Sequence, residues 1–422
     1  MSADAVYWIW LQQAFGISAS VLSAEILAAF PGGAREVYEA SPRLRRMSGV
    51  LNIRQAERLD STPLTVANRI LEECGRYNLH ILSPDDPRYP PLLKEIPNYP
   101  LALYAKGDPM VLQDHVCIAL VGTRKPSRKS IDIAARLSGD LCAAGVRMVS
   151  GGALGIDSAA HWGALHAGGK TAAVLGCGIC HPYLAENRSL RDKIAADGVI
   201  LSEYPPMTEP TPYNFPTRNR IISGISHGTV VIEAGDRSGS LITAHLAAEQ
   251  NRSVYAVPGE PFGSAYNGSN KLIKEGAKPV FSSLDVLEEF TYLYPQWLDM
   301  RRTHRDLERP GVDPNTVGVK KEASRQAPKK PSERKKAAKT AAAEELLPAD
   351  APPDEPGSPP APPPDLPPAE AACLAALAAE PLHVDQLSKA ASLPLPELYA
   401  ALTMLEISGF VKQLPGRVYA RT

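Results

Sequence analysis

The amino-acid sequence predicts an α/β protein with a doubly wound, Rossmann-like parallel sheet between about residues 115 and 290. Six short apolar runs alternate there with helical patterns, and they read VCIALVG, RMVSGG, TAAVLG, VILSEY, TVVIEA and SVYAVPG. Strands buried on both faces of a parallel sheet are nearly continuous apolar runs, and helices connect them. We also expect a small helical domain before this sheet and a winged-helix domain after it.

The first connecting helix is predicted from Ser127 to about Ala144. Its apolar positions follow the 3.6-residue period of a helix that buries one face. These positions are Ile131, Ala134, Ala135, Leu137 and Leu141. Gly145 follows the last of them, where glycine commonly ends a helix. The region therefore starts with a strand, a turn and a long amphipathic helix.

Composition limits the class of protein. A chain of 422 residues is expected to form two or three folded units. The net charge of -1 gives no overall attraction for nucleic acid, so any such binding depends on local charge. Six dispersed cysteines and the absence of a signal-peptide pattern predict a reduced, cytoplasmic protein. No apolar run is long enough to span a membrane.

We divide the chain at residues 75, 298 and 368. Residues 1–75 are predicted to be helical, either SAM-like or a degenerate helix-hairpin-helix, and residues 76–298 contain the sheet. Residues 299–368 are predicted to be a disordered linker, because nine Lys or Arg and two Glu in 320–340 precede a stretch with eleven prolines among 21 residues. A solvated linker is favoured over a DNA-attracting tail. The segment MSGVLNIRQAERL lacks a second hairpin glycine, which favours a plain helical interaction domain.

Residues 369–422 are predicted to form a winged helix with three helices and a hairpin that turns at Pro415 and Gly416. Its candidate recognition helix, LPELYAALTMLEISG, contains two Glu and neither Lys nor Arg. A helix that enters a DNA groove needs cations for phosphates and polar side chains for base edges. We therefore favour a protein-docking or structural role for this domain.

The first predicted strand runs into VGTRKPSRKS, which places Arg124 and three further cations at the carboxyl end of the sheet, before a helix. Doubly wound folds bind anionic ligands at this edge. Neither the dinucleotide fingerprint nor the P-loop pattern is present here, so no nucleotide cofactor is predicted. Solvated surface cations are the alternative interpretation.

The second strand ends in SGGALGIDSAAH, where Ser150 and Gly151 are predicted to expose backbone amides to a phosphate. Asp157 and His161 are four residues apart on the following helix. Capping and packing explain this pair better than acid-base catalysis, since no nucleophile is evident nearby. The same amides and acids therefore favour a binding site, with no catalytic residue.

The segment NFPTRNR combines Phe215 with Arg218 and Arg220. An exposed ring beside guanidinium groups is typical of sequence-tolerant single-strand binding, in which the ring stacks a base and the cations hold phosphates. A buried ring that fixes the following helix is an equally good interpretation. Farther on, EAGDRSGSLITA places Glu233 at a strand end and Ser238 at a helix start, whose amides suit a phosphate.

Cys177, Cys180 and His181 offer three metal ligands at most, so strand-end packing is favoured over a metal site. No metal is predicted for the protein.

Taken in order, VGTR, SGGALGID, FPTRNRIISG, EAGDRSGSLITA and AVPG resemble the DprA (Smf) family over about residues 75–290. The resemblance implies a non-catalytic protein that binds single-stranded DNA in a positively charged pocket. It also implies a homodimer formed through the central domain and delivery of incoming DNA to RecA in natural transformation and recombination. The pocket residues implied by these motifs, and by GGKTAAV for Lys170, are Arg124, Ser150, Gly151, Lys170, Phe215, Arg218 and Arg220.

Two rival functions are weaker. Lysine decarboxylase-like phosphoribohydrolases carry a motif that resembles P-G-G-x-G-T-x-x-E. This chain has EAGDRSGSLITAHLAAE in the corresponding place, without the glycine pair or the spacing to the Glu. A transcription regulator with a nucleotide-sensing core fits the domain order, but the recognition helix has no cation.

Overall fold

The computed structural model divides the chain into two compact units, Met1–Gln326 and Ala327–Thr422. The structure describes the following residues: 4–17, 22–183, 185–261, 263–299 and 317 of the first unit, and 367–377, 382–394, 397–398, 401–402, 405–406, 410–414 and 418–421 of the second.

The described part of the N-terminal region contains six helices: α1 Ala5–Phe15, α2 Leu22–Ala29, α3 Gly33–Glu39, α4 Pro42–Met47, α5 Ile53–Ser61 and α6 Leu64–Arg76. They share one hydrophobic core with the sheet region, because Trp8 and Leu11 belong to the same buried cluster as Ile194 and Ile200. Buried Gln12 also donates from Nε2 to the backbone carbonyl of Glu203 at 2.8 Å. The predicted helical region is thus packed directly against the sheet.

A nine-stranded sheet forms the centre of the first unit, in the order β1-β2-β6-β5-β4-β3-β7-β8-β9. The strands are β1 His80–Leu82, β2 Leu103–Gly107, β3 Cys117–Val121, β4 Arg147–Ser150, β5 Thr171–Leu175, β6 Val199–Ser202, β7 Gly228–Val231, β8 Ser253–Ala256 and β9 Lys278–Pro279. The pairs from β6 to β9 are parallel, and β1 and β2 add an antiparallel edge. The six predicted strands are β3 to β8, which confirms the doubly wound fold.

Helices cover both faces of the sheet: α7 Arg128–Ala143, α8 Ile156–His166, α9 Arg188–Asp197, α10 Asn214–Ile225, α11 Gly239–Glu249, α12 Asn267–Lys274 and α13 Leu284–Leu293. Alternate residues of β3 enter different cores, with Ile118 packing in one cluster and Ala119 in the other. The helix α7 matches its prediction. The Ser127 hydroxyl caps its start, and Gly145, at φ +103°, follows its end.

Val317 lies inside the predicted linker, yet its side chain is fully buried in the cluster that contains Ile118. Its carbonyl accepts a hydrogen bond from the amide of Gly155 at 2.9 Å. This residue is therefore packed against the sheet region. Residues 300–316 and 318–366 lie outside the described residues, so the disorder expected there stays a prediction.

The second unit is a winged helix, as predicted. Its elements are α14 Pro368–Ala376, β10 Leu382–His383, α15 Val384–Ala391, β11 Val411–Leu414 and β12 Val418–Arg421. Residues 397–398, 401–402 and 405–406 are helical, in the segment predicted as the recognition helix. The short strand β10 adds a third strand to the predicted hairpin. The turn at Pro415 and Gly416 lies outside the described residues.

No helix in the described residues is both long and apolar enough to cross a membrane.

Candidate functional site

The strand order places a switch point between β3 and β7. The chain proceeds from β3 through β4 and β5 to β6 on one side, and then continues from β7 through β8 to β9 on the other. Connections after β3 and β7 therefore leave in opposite directions, and the crevice between them is where open α/β sheets bind ligands. The Arg124 turn follows β3 at this crevice, and α11 starts after β7.

Two cavities occupy this edge of the sheet. The smaller and more enclosed one has a volume of about 80 Å³ and is lined by Gly151, Leu175 and Tyr183, among others. The larger one is an open groove of about 520 Å³ that reaches the start of α11 at Ser238. Four residues line both cavities: Ala153 and three with large side chains, Arg124, Phe215 and Arg218. The three large side chains form the wall between the cavities.

Phe215 is half-buried, and its ring packs against two side chains. The guanidinium carbon of exposed Arg124 lies 5.1 Å from the ring centroid, a cation-π distance. The ring of Tyr183 lies 5.6 Å away, tilted by 40°. The ring helps to fix α10 and also lines both cavities, so its stacking on a base stays a prediction.

The FPTRNR motif lies on α10, so helical periodicity decides where its side chains point. Phe215, Arg218, Asn219 and Ile222 line the open groove, and positions three and four apart share a helix face. Arg218 is only 4% exposed, and its guanidinium donates to the carbonyls of Gly151, at 2.8 Å, and Val174. Burial lowers the pKa of Arg218, which the charge of Asp157 partly offsets.

The predicted amide nest is engaged within the protein. The Ser150 hydroxyl donates to the carbonyl of Leu120 at 2.7 Å. The amides of Gly151 and Ala153 donate to the carboxylate of Asp157 at 3.1 and 3.3 Å. Gly151 and Ala153 line the enclosed cavity, and their amides already have an anionic partner, whereas Ser150 is fully buried.

Asp157 and His161 are packing residues, as predicted. Burial raises the pKa of Asp157, and the charge of Arg218 opposes that rise. His161 is fully buried, with Nδ1 2.7 Å from the Thr171 hydroxyl, and burial lowers its pKa to about 3. The imidazole is therefore neutral at physiological pH.

Three of the implied pocket residues line neither cavity: Ser150, Lys170 and Arg220. Lys170 is exposed and immediately precedes β5, so it lies at the edge where the strands begin, opposite Arg124. Arg220 is buried, and it donates to both carboxylate oxygens of Glu203 at 2.7 and 2.8 Å. Because Arg220 is two positions from Arg218, the helix turns it to a different side.

Glu233 also has a structural role. One of its carboxylate oxygens accepts from the backbone N–H of Ser127 at 3.0 Å and from the Ser127 hydroxyl at 3.1 Å. It therefore stabilises the start of α7. All six cysteines are free thiols, and no group of three metal-ligating side chains occurs within the ranges that the structure describes.

Sequence reasoning missed two side chains that line the enclosed cavity, Tyr183 and Arg191. Tyr183 lies in a loop after β5, and Arg191 lies on α9 beside buried Leu190. Tyr183 could have been considered because its loop follows a predicted strand on the edge where ligands bind. Nothing in the spacing marks Arg191, because surface arginines are common on amphipathic helices.

A doubly wound sheet whose switch point carries guanidinium groups around an aromatic ring defines a class of protein that binds anionic ligands. Residues 80–291 match the family described as DNA recombination-mediator protein A, and residues 357–417 match the DprA winged helix domain. The chain belongs to this DprA (Smf) family.

Three relatives illustrate the match. Protein Smf of Synechocystis sp. is 36% identical over 363 residues, which cover 84% of this chain and 83% of that protein. DNA processing protein DprA of Bacillus subtilis is 41% identical over 221 residues, which cover 52% of this chain and 74% of that protein. The X-ray structure of DNA processing protein A from Streptococcus pneumoniae has a TM-score of 0.58 and 35% identity, covering 67% of this chain and 97% of that one.

Proposed function

We propose that this protein binds single-stranded DNA across the two cavities, protects it and delivers it to RecA during natural transformation and recombination. The observation that carries the proposal is the wall of Arg124, Phe215 and Arg218 between an enclosed cavity and an open groove. Membership of a family described as recombination mediators agrees with this role.

The two cavities suit different parts of a nucleotide. The enclosed cavity has the rings of Tyr183 and Phe215, and aromatic faces stack unpaired bases without regard to sequence. The open groove reaches the start of α11, and the N-terminus of a helix attracts phosphate. Arg124 lines both cavities, so one guanidinium serves the base and the adjoining phosphate.

Because Arg124 already covers part of the Phe215 ring, a base reaches that ring in one of two ways. It displaces the guanidinium, or it stacks on the outer face of the guanidinium plane, which also accepts bases. In both cases the ring and the cation form one stacking platform. We propose this platform as the centre of the DNA site.

The polar residues around the site favour binding over catalysis. Asp157 accepts two backbone amides, and Glu233 accepts the Ser127 amide and hydroxyl. His161 is fully buried against Thr171. Asp157, Glu233 and His161 thus each have a structural partner, which supports binding over the acid-base chemistry of a phosphoribohydrolase.

The proposal also includes a homodimer, RecA as a partner and a cytoplasmic location. We propose a homodimer formed through the central domain, supported by Phe281, which is 80% exposed beside an open cleft of about 920 Å³. Ile133 and Val280 give that cleft an apolar lining. Six free thiols, five of them buried, suit the reducing cytoplasm in which RecA would be met.

Fluorescence anisotropy with labelled oligonucleotides of equal length tests the proposed function. The full-length protein is expected to bind single-stranded DNA more tightly than duplex, with little dependence on sequence, because stacking requires unpaired bases. Equal or tighter binding of the duplex would contradict the proposal.

A further inference from the structure

Two described residues beyond α13, Asp299 and Val317, contact opposite edges of the sheet region. The amide of Asp299 donates to the carbonyl of Ala144 at 2.9 Å, and Ala144 follows α7 at the edge where the strands begin. Val317 contacts Gly155, which lies at the opposite edge, between β4 and α8. By residue 317, the chain has therefore reached the edge that carries the proposed DNA site.

Gly155 has a backbone conformation and an amide hydrogen bond that other parts of the chain must support. It caps α8 at φ +85° and ψ -127°, a conformation that glycine alone adopts readily, and no side chain caps this helix. The carbonyl of Val317 accepts its amide at 2.9 Å, so a buried donor at the helix start is satisfied from outside the helix.

Gly155 also touches the turn that carries Arg124. A Cβ atom at position 155 would come within 2.9 Å of the Arg124 Cα atom, and the next amide, from Ile156, donates to the carbonyl of Thr123 at 3.2 Å. The start of α8 and the Arg124 turn are thus held together by backbone contacts. Displacement of one would displace the other.

We propose that Val317 is a positioning residue of this site: its buried side chain and its carbonyl hold the start of α8, which in turn holds the Arg124 turn. The side chain is fully buried with Ile118 and Ile156, so the contact is fixed by packing as well as by one hydrogen bond. Without it, Arg124 is no longer held over the Phe215 ring. This inference rests on the proposed function.

The test uses the full-length chain with Val317→Asp and Val317→Ala, because a buried carboxylate is expelled from an apolar core at high cost. Val116→Ala is the matched control: Val116 is fully buried in the same cluster, but directly before β3, at the edge remote from Arg124. Affinity for single-stranded DNA, the melting temperature and hydrogen exchange at the Gly155 amide are measured for each variant.

Val317→Asp is expected to weaken DNA binding about tenfold, comparable to the loss of one base contact, and to accelerate exchange at Gly155. Val317→Ala should also weaken DNA binding and accelerate exchange at Gly155, but less than Val317→Asp. Val116→Ala should lower the melting temperature and leave affinity unchanged. In addition, Arg124→Ala should cost less affinity in the Val317→Asp background than in the wild type, because the two residues act through one turn.

Three results would overturn the inference. The first is unchanged DNA affinity in Val317→Asp, and the second is an equal loss of DNA affinity in Val317→Ala and Val116→Ala. The third is that Arg124→Ala costs as much affinity in the Val317→Asp background as in the wild type. If the wild-type protein does not bind single-stranded DNA, the proposed function fails instead. The exchange rate at Gly155 then still decides whether Val317 holds this turn, since unchanged protection in Val317→Asp would contradict it.

Discussion

Two faces of α10 carry an arginine each, and the two side chains have different roles. Arg218 and Arg220 are both 4% exposed and belong to one six-residue motif. Arg218 donates to two backbone carbonyls and lines both cavities. Arg220 forms a buried ion pair with Glu203, and the nearest distance is 2.7 Å. Burial alone therefore does not separate an arginine that lines the proposed site from one that is held in an ion pair.

The partner of each guanidinium makes the difference. Arg218 donates to neutral carbonyls, and the nearby carboxylate of Asp157 already accepts two backbone amides, so we propose that the charge of Arg218 is available to a ligand in the adjoining cavity. The carboxylate of Glu203 neutralises Arg220, and Glu203 in turn lies beside Gln12 of the N-terminal region. One face of α10 therefore serves the site, and the other connects the helix to the N-terminal region.

The largest expected effect is on stability. Arg220→Met should lower the free energy of unfolding by about 3 to 5 kcal/mol, because it leaves Glu203 as an unpaired buried charge. Arg218→Met should lower it by about 1 to 3 kcal/mol, since it leaves neutral carbonyls unpaired while Asp157 keeps its two backbone amide donors. Urea denaturation measures both. An equal loss of unfolding free energy in the two variants would contradict the different roles of Arg218 and Arg220.

A smaller effect is expected from the ring on the binding face. Phe215→Ala should weaken single-strand binding by about 1 to 3 kcal/mol, or roughly 5- to 150-fold, because one stacked base is lost. The salt dependence should stay the same, since the ring carries no charge. Titrations at several salt concentrations measure affinity and slope together. A change of slope without a loss of affinity would place the base elsewhere.

The smallest effect separates the two edges of the sheet. Arg124→Ala should reduce the slope of log affinity against log salt by about 0.7, the value for one phosphate contact on a single strand. Lys170→Ala removes an exposed cation from the opposite edge and should leave the slope unchanged. The same titrations compare the two variants. An equal change in both would mean that general surface charge, and not the Arg124 turn, attracts the DNA.

The sequence by itself determined the sheet region. Apolar runs long enough for buried strands, and helical periods between them, appear directly in the residues, so β3 to β8 and the limits of α7 were predictable. The location of the Arg124 turn was predictable as well. The turn follows a predicted parallel strand, and doubly wound sheets bind ligands at the edge where their strands end.

Only the tertiary structure decided which side chains share the cavity. Lys170 and Arg124 both flank predicted strands, but they lie at opposite ends of those strands. The roles of Arg218 and Arg220 depend on Val174 and Glu203, which are distant in sequence. Val317 lies in a polar, charged segment whose composition predicts no packing, yet it is fully buried. Such contacts join residues far apart along the chain, and no local pattern of hydrophobicity or spacing records them.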